Sequence, residues 1–98
     1  MLNLDEKLKI IDCACLDAWN KWNTGWWNLD KETRLIIIQG YIMEYLSMLT
    51  TSHYLIDIYK KYSPLPPYNT TVLASIIYLI KNENFNFMWH VERLQKIL

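Results

Sequence analysis

Residues 31–49 read KETRLIIIQGYIMEYLSML, and the spacing of their apolar side chains decides the fold. Projected at roughly 100° per residue, Leu35, Ile36, Ile38, Ile42, Met43, Tyr45, Leu46 and Leu49 cover most of a helix circumference. The polar positions Gly40, Glu44, Ser47 and Thr51 fall in one narrow stripe. A helix that is apolar nearly all round is buried by its neighbours or by a partner. Asp30, immediately before it, suits an N-cap, and its charge suits the positive end of the helix dipole.

Working outward, residues 4–22 predict a preceding helix. Leu4, Leu8, Ile11, Cys15, Ala18 and Trp22 recur at steps of three and four and define one face. Asn3 and Glu6 have the spacing of a capping box, and Gly25 is the expected left-handed stop. The opposite face holds Glu6, Lys9, Asp17 and Asn20 together with Ile10 and Cys13, so those two are expected at the surface. On the C-terminal side, TTSHYLIDIYKKYS (residues 50–63) predicts a bend and a third helix ending before the proline-rich PLPPYN. Asn69 or Thr70 caps a fourth helix to about Lys81, with Val72, Leu73, Ile76, Ile77 and Ile80 inward. Residues 82–84, NEN, break the chain before a final helix with Phe87, Val91, Leu94 and Leu98 on one face. Sustained alternation, the signature of strands, does not occur.

The expected fold is all-α: one domain over residues 1–98, a compact bundle of four or five short helices around the apolar helix at about residues 31–49. Its size supports a core without metal or disulfide staples, because a chain of 98 residues buries roughly two-thirds of its surface. Apolar residues make up 52% and charged residues 20%, which argues against disorder.

Ten basic residues balance ten acidic ones, so no global field draws the chain to nucleic acid or anionic lipid. The N-terminus has charges from the fifth residue and no apolar signal core, and the expected location is cytoplasmic. Residues 35–56 have the length of a bilayer span, but Glu44 at their centre is too costly there, so a buried helix is expected and no membrane partner.

Cys13, Cys15, His53 and His90 add up to four potential zinc ligands. Residues two apart on a helix point away from each other, and the histidines lie far apart in sequence, so no metal site and no cofactor are expected. His90 and Glu92 diverge for the same reason. With Gly25 and Gly40 the only glycines, a phosphate-cradling loop is absent, and the chain is not expected to be an enzyme.

Residues 19–30, WNKWNTGWWNLD, place four tryptophans in nine positions. Trp19 and Trp22 belong with the first helix and are expected in the core. Trp26 and Trp27 lie in a short connection where adjacent side chains rarely both turn inward, so one ring should close the core and the other reach solvent. Tryptophan is enriched among the few residues that carry binding energy. The candidate partner-binding residues are therefore Trp26 and Trp27, with Ile10 and Cys13 or Tyr54, Tyr59 and Tyr62 as the other surfaces. The functional expectation is a small protein-binding regulator or inhibitor. The bias toward Asn, Ile, Lys and Tyr suggests an AT-rich phage or mobile element and a host or defence protein as the partner. The alternative is a homo-oligomeric structural or assembly subunit, with a homodimer as one candidate state.

Overall fold

The computed structural model describes residues 3–47, 70–82 and 84–97. Among them are four α-helices, one 3₁₀ helix and no strand, in an all-α bundle. The helices are α1 (Leu4–Trp22), α2 (Lys31–Ser47), α3 (Thr70–Ile80) and α4 (Phe87–Gln95), with the 3₁₀ helix Asn23–Asn28 between α1 and α2. The third helix expected within residues 50–63 lies outside the described residues, as do His53, Tyr54, Tyr59 and Tyr62.

Local chemistry sets the boundaries. The Asn3 side chain accepts from the Glu6 backbone N–H at 2.9 Å, and the Asn3 N–H donates to Glu6 Oε1 at 3.2 Å. This capping box satisfies donors that have no partner inside the helix. Asp5 and Glu6 in the first turn of α1 and Lys21 in the last complement its dipole. Asp30 Oδ1 accepts from the Thr33 N–H at 2.6 Å and opens α2; that bond is the main cause of a carboxyl held below its ordinary range. Asn86 performs the same service for α4, accepting from the Trp89 N–H at 3.1 Å.

The stop of α1 is not at Gly25. Asn23 turns the chain with φ 52° and donates its N–H to the Trp19 carbonyl, while Gly25 keeps a negative φ inside the 3₁₀ helix. With ψ at −131° Asn23 lies outside the left-handed helical region and holds a conformation that suits glycine better than a residue with a side chain.

α2 contributes Ile38, Ile42, Tyr45 and Leu46 to the core, whereas Ile36 and Met43 remain exposed on its outer side. α1 is buried more completely still. Every side chain from Ile10 to Leu16 is buried, because α4 and α2 pack against it on different sides and the 3₁₀ helix and α3 touch it as well. The expectation that Ile10 and Cys13 form a surface is therefore corrected: both are enclosed. Leu4, assigned to the inner stripe, is exposed at the helix start. Val72, Ile76 and Ile80 of α3 and Phe87, Val91 and Leu94 of α4 complete the core at the expected helical spacing.

Candidate functional site

The tryptophan connection is a 3₁₀ helix, in which successive side chains point about 120° apart. Adjacent rings thus take different roads. Trp26 is 1% exposed and stacks on Phe87 of α4, with centroids 4.6 Å apart and planes 19° from parallel. Trp27 is 49% exposed and meets the same Phe87 edge-on at 5.8 Å and 84°. Trp19 supports both Phe87, at 6.4 Å, and Trp27, at 6.5 Å, and Trp22 lies 6.2 Å from Trp26. Phe87 is the hub of this aromatic cluster, a role that no local sequence signal discloses. The expected division into one core ring and one surface ring holds, with Trp26 inside and Trp27 outside.

Trp27 stands beside a groove of about 550 Å³ between the 3₁₀ helix, α2 and the α3–α4 connection. Trp26, Leu35, Ile38, Ile80 and Phe87 supply its apolar wall. Lys31, Arg34 and Lys81 supply its cations, and the lining contains no acidic side chain among the described residues. The Arg34 guanidinium lies 5.8 Å from the Trp27 ring centroid. Its Nε is buried and has no hydrogen-bond acceptor among the described residues.

A second cluster joins the first helix to the last. Asp12 of α1, 0% exposed, accepts from His90 Nδ1 at 2.6 Å and from Arg93 Nε at 2.9 Å. Arg93 also approaches Asp5 at 3.5 Å and lies 5.1 Å from the Trp89 ring centroid. His90 is stacked on Phe85 at 5.2 Å and borders a cavity of about 370 Å³ with Leu8, Ile11, Phe85 and Trp89. Chemically, this is a buried acid held by two basic groups, with the imidazole fixed by its Nδ1.

Cys13 and Cys15 are both buried free thiols, raised above the ordinary value chiefly by burial. No group of three or more His, Cys, Asp or Glu side chains among the described residues is placed to share a metal ion. No helix among them is long and apolar enough to cross a membrane.

Of the candidate binding residues, the structure brings Trp26 and Trp27 together at the groove and removes Ile10 and Cys13 from the surface. Sequence reasoning missed Arg34, Lys31 and Lys81 as groove residues, and Asp12 altogether. Asp12 did carry a signal, being a lone carboxylate within the apolar and small run Ile10–Leu16. Comparison with protein families, curated proteins and solved structures finds no match to this chain.

Proposed function

We propose that this chain is a non-enzymatic regulator or inhibitor that binds another protein through Trp27 and the adjoining groove. The observation that carries the reading is the mounting of Trp27: half its surface is open, while Phe87 and Trp19 hold the ring from behind. A large aromatic already fixed in place loses little conformational freedom on binding, which favours it as an anchor. The Asp12–His90–Arg93 cluster fits a structural role better than a catalytic one, since its carboxylate is enclosed by basic partners within the core. The bias toward Asn, Ile, Lys and Tyr supports an origin in an AT-rich phage or mobile element and a host or defence protein as the target, and the free thiols Cys13 and Cys15 support a cytoplasmic setting.

The test is capture from an extract of the native host with the parent protein and with Trp27→Ala. Proteins retained by the parent and lost from a normally folded Trp27→Ala support the reading. Identical retention by the two would remove it.

One observation favours a second reading, self-association. Ile36, Gly40 and Met43 lie at helical spacing on one exposed face of α2, and the two large side chains are 66% and 52% exposed. A small residue between two exposed apolar ones allows close approach of a second helix. Sedimentation at several concentrations distinguishes a dimer on this face from a monomer that waits for another protein.

A further inference from the structure

We infer that the Trp27 groove recognises an acidic, apolar-anchored peptide segment of a protein partner. A carboxylate of that segment pairs with Arg34, and a neighbouring large apolar side chain packs against the open face of Trp27 and the half-buried Leu35. This inference rests on the reading of the Trp27 face as a binding surface and specifies what that surface selects.

Three observations carry it. The first is charge. Three of the chain's ten Lys and Arg residues gather on this one groove although the whole chain is neutral, and no acid among the described residues shares the lining. Asp30 is near enough to Arg34 to feel its charge, but its carboxylate caps Thr33 and does not line the groove.

The second is the unmet donor. Arg34 Nε is buried without an acceptor among the described residues, and the Trp27 ring beside its guanidinium attracts the charge but supplies no oxygen. A desolvated donor left unpaired is unfavourable, and a carboxylate satisfies it with the paired, planar geometry that a guanidinium fork prefers. The third is the wall. A groove of about 550 Å³ is within the size range of ligand clefts, and the half-buried Leu35 and Phe85 line it together with the open ring of Trp27, over a floor closed by the stacked Trp26 and Phe87. A phosphate backbone would match the cations but not this wall, and it is normally met by an extended basic stripe.

The experiment is selection from a random peptide display library on the full chain, with Trp27→Ala and Arg34→Gln in parallel, each verified as folded by its melting temperature. The expected result is enrichment of sequences carrying Asp or Glu within two positions of an aromatic or large aliphatic residue. A synthetic peptide of the selected sequence should bind about 10-fold or more weakly when its acid is changed to the amide, or when Arg34→Gln replaces the parent. Combining the two changes should add little, since both remove one interaction. Apolar enrichment lost in Trp27→Ala but without acidic preference would overturn the charge inference and leave the binding surface standing. Enrichment indifferent to both substitutions, or none above background, would overturn the surface as well. Tighter binding of a single-stranded thymidine dodecamer than of any selected peptide, lost with Arg34→Gln, would assign the groove to nucleic acid instead.

Discussion

His90 Nδ1 on α4 donates to the carboxylate of Asp12 on α1 at 2.6 Å, across 78 positions of sequence. Asp12 is fully enclosed, and Arg93 Nε approaches its other oxygen at 2.9 Å. A buried carboxylate is tolerated only when paired, and its loss removes the acceptor of the buried imidazole and a carboxylate nearer to the guanidinium than that of Asp5. Asp12→Ala is therefore expected to cost about 3–5 kcal/mol, a large part of the ~5–15 kcal/mol that holds a domain together. Arg93→Ala should cost less, since its guanidinium is partly open to water. Chemical denaturation measures both, and an Asp12→Ala protein as stable as the parent would show that the cluster contributes nothing to the fold.

The two adjacent tryptophans should separate stability from binding. Trp26→Ala removes a buried ring stacked on Phe87 and is expected to cost about 3–5 kcal/mol. Trp27→Ala gives up edge contacts with Phe87 and Trp19, each aromatic pair worth ~0.5–1.5 kcal/mol beyond area, so its loss of stability should be clearly smaller. On the binding side the order reverses, with Trp27→Ala losing roughly 30- to 1,000-fold in partner affinity. Melting curves of the two variants decide the first half. Equal destabilisation would mean that Trp27 serves the core.

Alkaline conditions should destabilise the fold. Burial raises the thiols of Cys13 and Cys15 above their ordinary 9.0. Burial, followed by the hydrogen bond to Asp17, raises the Tyr45 phenol above its ordinary 10.0. The native state keeps these protons after the unfolded chain has released them. Stability from this source is complete below about pH 9 and falls as pH rises, by ~1.4 kcal/mol per pH unit for each group past its unfolded value. Urea titrations between pH 7 and pH 11 give the curve, and Cys15→Ala should flatten it by about one proton. A flat profile in the parent would mean that the thiols and the phenol are not sequestered.

Gly40→Ala should raise stability by about 0.5–1 kcal/mol. Gly40 lies within α2 at a negative φ, and a Cβ there meets nothing within 4 Å, so alanine stiffens the unfolded chain without a clash. If α2 pairs with a second copy through Ile36 and Met43, the same methyl group should weaken that association. Thermal melting at low concentration and sedimentation at high concentration report the two effects separately. A drop in monomer stability would contradict the open space around Gly40.

Asn23→Gly offers a similar gain at the end of α1. At φ 52° and ψ −131° asparagine is strained, and glycine is not, so about 1 kcal/mol should be recovered. A loss on substitution would show that the Asn23 side chain outweighs its backbone cost.

The helices were legible where capping and periodicity agree. Asn3 with Glu6, and Asp30, mark starts that the structure places within one residue of the expected ones, and Val72, Ile76 and Ile80 face inward as their spacing predicts. The surroundings of α1 were not legible. Periodicity identifies one apolar face, but the side holding Ile10 and Cys13 is enclosed by helices distant in sequence, and nothing near residue 10 reports their arrival. The groove was half legible. A short connection predicts that Trp26 and Trp27 diverge, while the meeting of Arg34 and Lys81 depends on how α2 and the α3–α4 connection are brought together.

The packing of α1 against α4 has a consequence during synthesis. At ~5–20 residues per second, roughly 4–16 s separate the emergence of Asp12 from that of His90. For that interval the Ile10–Leu16 stretch lacks the helix that encloses much of it, and its carboxylate must stay hydrated. The charge at Asp12 then has a second use. It interrupts an apolar run that would otherwise be an adhesive surface on the nascent chain, and the cost of burying it is met only when α4 arrives with the basic groups that pair with it.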